Sequence, residues 1–169
     1  HLAAQAQEAP TVQKVVIVHV GPATVSDQLI RANMRVKEGE PFSQDAVDAD
    51  VQNLHKTGYF QNIRVGREID ARGITLTYRV QAKPVLTEVR FSGNKKYRDS
   101  KLRKKLTSRV GEPLDQLKLF NDAQEILKMY QKAGLQKTEV VPVPSINEDL
   151  GRGIVTFEVR EAPKIRIKD

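Results

Sequence analysis

Few residues in this chain could make or break bonds. Among 169 residues there is no cysteine, and there are three histidines, His1, His19 and His55. The histidines fall one to a terminus or element, without an HExxH or a pair at i, i+4, so a zinc site would have to be assembled from distant parts of the chain. Lack of cysteine removes disulfides, thiolate nucleophiles and Cys-based metal sites, and leaves the redox compartment open. Asp45, Asp48 and Asp50 invite a carboxylate-pair reading for acid–base work. Their position in the first turns of a helical pattern gives the plainer one, in which negative charge near a helix N-terminus is favoured by about 0.3–1 kcal/mol. Gly151-Arg152-Gly153 lacks the spacing of a phosphate loop and precedes a strand pattern, so it reads as a turn. No catalytic, metal or cofactor site is expected.

Charge is the stronger signal. The formal net charge of +7 is local: between Lys95 and Arg109 stand eight bases against one acid, Asp99, and the rest of the chain sums to zero. The bases are Lys95, Lys96, Arg98, Lys101, Arg103, Lys104, Lys105 and Arg109. Single-stranded nucleic acid wants aromatic platforms among such bases, and Tyr97 is the sole aromatic there. The run therefore reads as a solvated helix face, or as a contact for anionic lipid headgroups or an acidic partner, each base near such a surface contributing about 1 kcal/mol. No nucleic-acid partner is expected; a nucleic-acid-binding repeat protein is the remote alternative.

Apolar residues make up 39% of the chain, enough for a core, and the longest apolar stretch, Val15 to Val20, is far too short to span a bilayer as a helix. Ala4-Gln5-Ala6 has the small-residue pattern of a signal-peptidase site without an apolar run before it. Residues 1–11 read as a flexible N-terminus.

The elements that would position any site are written twice. "EGEPF" at 38–42 is answered by "VGEPL" at 110–114, Gly39 and Gly111 lying 72 positions apart; Gly21 and Gly93 share that spacing. Gly58 and Gly134 are 76 apart, and the closing Pro84 and Pro163 are 79 apart, so the order is kept while the second copy gains a few residues. Each copy opens with a strand, in the first the β-branched run 14–20, fit for burial on both faces. A short helix follows, Ser26 capping the first, with Ile30 and Met34, or Leu102 and Leu106, on one side. Gly39 and Gly111 are expected to stop that helix at positive φ, and Pro41 and Pro113 to prevent its resumption. Ser43 and Asp115 cap a second helix with the apolar stripe Val47, Val51, Leu54 or Leu119, Ala123, Ile126, Tyr130. Gly58 and Gly134 end it. Strands are expected near 61–68 and 136–143. The last strand alternates Ile74, Leu76, Tyr78 and Val80 inward, as Val155, Phe157 and Val159 do in the second copy.

Each unit is thus strand, helix, helix, strand, strand. The fold class is α+β: two tandem βααββ units, each a three-stranded mixed sheet covered on one face by two antiparallel helices. The first spans 12–83 and the second 84–163, joined by a short linker around Ala82 to Pro84 that permits limited hinging. Residues 164–169 begin a further unit, because "KIRIKD" after Pro163 alternates as "LTEVRF" does after Pro84.

This succession of a strand ending in Gly, a "GEPF" or "GEPL" corner, "GYF" after the second helix and "VRFSGN" opening the next unit resembles tandem POTRA domains of the BamA type of outer-membrane protein assembly factor. The second unit departs from the pattern with Gly134-Leu135-Gln136 in place of the aromatic pair and with a longer second helix. The resemblance implies a periplasmic part of an outer-membrane protein, continuous with further units and a membrane barrel. It implies binding of unfolded outer-membrane proteins and accessory assembly lipoproteins by strand addition, and no enzyme activity. POTRA modules of two-partner secretion pores, division proteins and organellar import barrels remain the alternative.

A three-stranded sheet has two edge strands, each with unpaired N–H and C=O groups that another chain can pair with. The resemblance points to the strand after the second helix, giving Gln61, Asn62, Ile63, Arg64, Val65 and Gly66 in the first unit and Thr138, Glu139, Val140 and Val141 in the second. Pro142 and Pro144 lack N–H groups and limit pairing there to about 136–141. Edge protection by Arg64, Arg67 and the prolines is the competing reading. Proline at Arg64 is expected to weaken binding without unfolding the unit.

Overall fold

The computed structural model describes residues 9–163. Residues 1–8 of the expected flexible N-terminus 1–11, and the expected restart 164–169, lie outside them. Ten elements follow in order: β1 (Val12–His19), α1 (Asp27–Ala32), α2 (Gln44–Lys56), β2 (Phe60–Asp70), β3 (Gly73–Ala82), β4 (Val85–Ser92), α3 (Asp99–Arg103), α4 (Gln116–Lys132), β5 (Glu139–Asn147) and β6 (Arg152–Arg160). The chain divides into two compact units between Ala82 and Lys83, each a βααββ module with its own mixed sheet, ordered β1-β3-β2 and β4-β6-β5.

In each sheet the last strand is central, parallel to the first and antiparallel to its hairpin partner. Its alternation follows from that place. Ile74, Leu76, Tyr78 and Val80 are buried in the first core with Ile30, Val47 and Leu54 from the helices. Val155, Phe157 and Val159 are buried in the second with Leu102, Leu119, Ile126 and Tyr130. The caps form as the residue types demand: Ser26 accepts from the Leu29 N–H, Ser43 from Ala46, and Asp115 from Leu117 and Lys118. Gly58 and Gly134, with φ of 80° and 88°, turn the chain after α2 and α4.

Three expectations are corrected. The β-branched run of β1 is an edge strand and not a doubly covered one, and Val18 and Val20 are exposed. Gly39 and Gly111 do not end the first helices: α1 stops at Ala32 and α3 at Arg103. The corners fold back onto the first strand instead. The Gly39 N–H donates to Val12 C=O at 2.8 Å and the Val12 N–H to Glu40 C=O at 2.8 Å; Gly111, Glu112 and Leu86 repeat the pattern at 2.7 and 2.9 Å. Finally, Pro10 C=O accepts from Phe42 N–H and Thr11 C=O from Ile74 N–H, so these two residues of the expected flexible stretch 1–11 are tied into the first unit.

Candidate functional site: the sheet edges

Which way a strand's peptide groups point follows from chirality: residues sharing a face of the sheet also share an in-plane direction for N–H and C=O. On β3 the helix-facing residues point toward β1, since Ile74 N–H donates to Thr11 C=O and Val80 C=O accepts from Val20 N–H. The alternate residues therefore point toward β2, opposite Asn62, Arg64, Gly66 and Glu68. That leaves the peptide groups of Ile63, Val65, Arg67 and Ile69 directed away from the sheet, a row of four donors and four acceptors.

The same reasoning applied to β5 gives Val140, Pro142, Pro144 and Ile146, each 77 positions beyond its counterpart in β2. The ladder with β6 runs unbroken from Glu139 to Asn147 across both prolines, which is possible only because their missing N–H groups face outward. The second edge keeps four acceptors and has donors at Val140 and Ile146 alone. Thr138 and the two residues before it precede the strand; Thr138 is buried, and its hydroxyl accepts from the Ala162 N–H. Of the residues expected at these edges, Ile63, Val65 and Val140 present outward peptide groups, whereas Asn62, Arg64, Gly66, Glu139 and Val141 spend theirs inside the ladders. Gln61 lies at the irregularity between Phe60 and Asn62.

The opposite edges are occupied by the chain itself. Besides the corner on Val12, the Val15 N–H donates to the Glu38 carboxylate at 3.0 Å and Val15 C=O accepts from Arg31 at 3.1 Å. In the second unit Arg103 reaches Val89 C=O at 3.4 Å, while the position of Glu38 is taken by Val110.

The helix-facing side chains of β2 fall into two parts. Phe60 and Ile63 are buried in the core. Farther along, Arg67 lies over the Phe42 ring with 5.5 Å to its centroid, and Ile69 stands 68% exposed at the end of the row. The matching Ile146 is 40% exposed. Each open edge thus ends in an exposed apolar side chain, more so in the first unit.

The first-turn reading of Asp50 missed a structural role. Asp50 is 0% exposed and accepts from Arg35 N–H at 2.6 Å, Val36 N–H at 3.2 Å and Tyr78 O–H at 3.0 Å. Asp122, 72 positions later and 1% exposed, accepts from Thr107 N–H, Thr107 O–H and Ser108 N–H. The signal lay in the repeat: an aspartate recurs inside both apolar stripes. Asp45 does sit in the first turn of α2, and Asp48 accepts from Gln44. His19 contacts Asp27 at 2.5 Å and His55 lies in the last turn of α2. Among the described residues no three of His, Asp and Glu gather as a metal site would need, and no helix is long and apolar enough to cross a membrane.

All eight bases of the run 95–109 are exposed on the β4–α3 connection, α3 and the segment after it.

Comparison with known proteins agrees with this architecture. The POTRA family, described as surface antigen variable number repeat, matches residues 10–83 and again 84–162. The outer membrane protein assembly factor BamA of Nitratidesulfovibrio vulgaris is 21% identical over 148 residues, covering 88% of this chain and 19% of that protein. The chain therefore spans about a fifth of that relative's length. Among solved structures, the N-terminal domain of Omp85 from Thermosynechococcus elongatus is 22% identical with a TM-score of 0.57, over 90% of this chain and 63% of that one. POTRA1-2 of the periplasmic domain of Omp85 from Anabaena is 22% identical with a TM-score of 0.54, over 93% and 99%. With two family matches in tandem, each on one βααββ module, the chain belongs to the POTRA family.

Proposed function

We propose that this tandem is a periplasmic receptor and scaffold of an outer-membrane barrel assembly protein, non-enzymatic, receiving unfolded barrel substrates and accessory lipoproteins as added strands. The observation that carries the reading is the outward row Ile63, Val65, Arg67 and Ile69 on an edge nothing else in the described unit occupies, while the other edge of the same sheet is filled by the corner, Glu38 and Arg31. Similarity to the BamA of Nitratidesulfovibrio vulgaris and to the periplasmic domain of Omp85 from Anabaena supports the setting.

Magnitudes make such docking weak. Backbone hydrogen bonds net about 0.5–1.5 kcal/mol each, and association costs about 4–15 kcal/mol. Guest side chains must therefore add apolar contact, which the exposed Ile69 would offer, and several units in tandem add avidity. Weak, sequence-tolerant holding suits many different clients.

Titration with an extended barrel-strand peptide, followed by amide chemical shifts, tests the reading. The largest changes are expected at Ile63, Val65, Arg67 and Ile69, with smaller ones at Val140 and Ile146. Changes that spare β2, or that are equal on both edges, count against it.

A further inference from the structure

We propose that the basic face of the second unit is a docking surface for an anionic phospholipid bilayer. Eight exposed bases stand between residues 95 and 109, and among the described residues none has a carboxylate within ion-pair distance. The one acid of the run, Asp99, is instead engaged by the Asn94 amide at 2.7 Å. The same stretch of the first unit, 23–37, holds three bases against one acid. The fold therefore does not require the charge, and both units build the same βααββ module without sharing it.

Part of the patch is held in place. Tyr97 packs edge-on against the buried Tyr130 with centroids 5.0 Å apart, and Lys101 and Lys96 lie 4.8 and 5.7 Å from the Tyr97 centroid. Arg103 lies 5.3 Å from the Phe91 centroid and donates to the Val89 carbonyl. The rings thus set three cations along α3 and its flanks, and beside them Lys95, Lys104, Lys105 and Arg109 have side chains without a hydrogen-bond or ion-pair partner among the described residues.

The form of the patch selects the partner. A discrete phosphate needs convergent donors in a recess. The depression at the patch margin, between Lys95 and Arg98, is walled by Asp99, which repels an anion. Five of the eight are lysines, hydrated point charges on flexible stems and not the planar forks of bidentate recognition. Distributed, unconverged, lysine-rich charge matches a surface that is itself a distributed field of anions, and each base near such a surface multiplies affinity about fivefold. Val110, 58% exposed directly after Arg109, adds an apolar contact at the same end.

Co-sedimentation of the 169-residue chain with vesicles tests this. Binding is expected to vesicles of equal parts phosphatidylglycerol and phosphatidylcholine and not to phosphatidylcholine alone, and to weaken steeply as salt shortens the screening length from about 30 Å at 0.01 M to about 8 Å at 0.15 M. Lys95→Gln, Lys104→Gln, Lys105→Gln and Arg109→Gln together should lower the affinity at least about tenfold. The double change Lys104→Gln, Lys105→Gln should give an intermediate loss. Neutralising Lys14, Lys37, Lys56 and Arg72 in the first unit should leave it within about twofold. The patch variant should melt no lower than the parent, because unpaired like charges repel. No sedimentation with anionic vesicles at low salt, or equal losses in the two four-residue variants, overturns the proposal. Tighter binding to polyglutamate than to the vesicles does so too, and assigns the face to an acidic protein.

Discussion

The two units meet the same burial problem with different donors. Each hides one aspartate under the turn that follows its short helix, and each gives that carboxyl group two backbone N–H donors and one hydroxyl. In the first unit the hydroxyl comes across the core from Tyr78; in the second the central strand carries Phe157 at that place and the hydroxyl comes from Thr107 in the turn itself. A buried carboxyl group is tolerated when its acceptor capacity is used, whatever supplies the donors. The turn is thereby fastened to the second helix without a long hydrophobic contact.

The edges differ in the opposite sense, since the same strand position is left open in one unit and blunted in the other. Val65 and Arg67 donate outward where Pro142 and Pro144 cannot. Proline costs nothing there because its nitrogen faces away from the ladder, so the second unit loses edge donors while keeping its register. The neighbouring edges also part company: Glu38 caps the Val15 N–H, and Val110 at the matching position caps nothing.

The strongest test of the first comparison is removal of each aspartate. Asp50→Ala leaves the buried Tyr78 hydroxyl and two part-buried N–H groups without their acceptor and should destabilise the first unit by about 4 kcal/mol. Asp122→Ala should cost about 2 kcal/mol, because all three of its hydrogen bonds are part-buried and none involves a fully buried hydroxyl like that of Tyr78. Residue-resolved hydrogen exchange under mild urea reads the units separately, and equal losses would break the comparison. A second contrast lies in the glycines that follow the first strands. Gly21 and Gly93 have φ of 78° and 77°, but a Cβ on Gly93 would run into the Val159 carbonyl, whereas one on Gly21 meets nothing within 4 Å. Gly93→Ala should cost about 3 kcal/mol and Gly21→Ala about 1 kcal/mol in denaturant unfolding.

Swapping the edge residues sharpens the second comparison. Val65→Pro should weaken strand-peptide binding at the first unit about fivefold and Pro142→Val should strengthen it at the second by a similar factor, since one net hydrogen bond is at stake. Isothermal titration of single and double variants checks this, and a null effect from both removes the donor count as the cause. Arg64→Pro, which the sequence alone suggested, is the wrong probe: its N–H serves the ladder opposite Arg79, so it should unfold the strand instead of sparing it.

Tyr78→Phe should likewise cost only about 1 kcal/mol, since Asp50 keeps its two backbone donors. Its pH signature is more telling. Burial above all, then the charge and hydrogen bond of Asp50, raises the Tyr78 pKa from the ordinary 10.0. A raised folded pKa contributes stability that is complete below pH 10 and lost as pH climbs toward the folded value. Tyr78→Phe should flatten the alkaline loss in the first unit only, because burial also raises Tyr130 in the second. Urea midpoints across pH 9 to about 11, followed unit by unit, would show it.

Much of this architecture could be read from local pattern. The spacing of 72 between Gly39 and Gly111 announced two modules, and helix stripes, caps and the alternating last strand gave the element order because each depends on residues a few positions apart. The departures share a different cause. Gly39 has the positive φ expected of it, yet it serves a bridge to Val12, a partner 27 residues away that no local spacing reveals. The Val-rich β1 looked doubly covered because β-branching reports strand propensity and not neighbours. Pro142 and Pro144 read as a limit on edge pairing at about 136–141, while the strand itself runs on through them to Asn147, because their compatibility depends on which side the partner strand lies.

The chain's own chemistry determined the two βααββ modules, their turns and the single basic run, since periodicity, capping and charge are properties of short stretches. Only the assembled sheets decided which peptide groups face outward and which aspartates are hidden. Both depend on strand order and on what packs opposite, which are settled when distant segments meet.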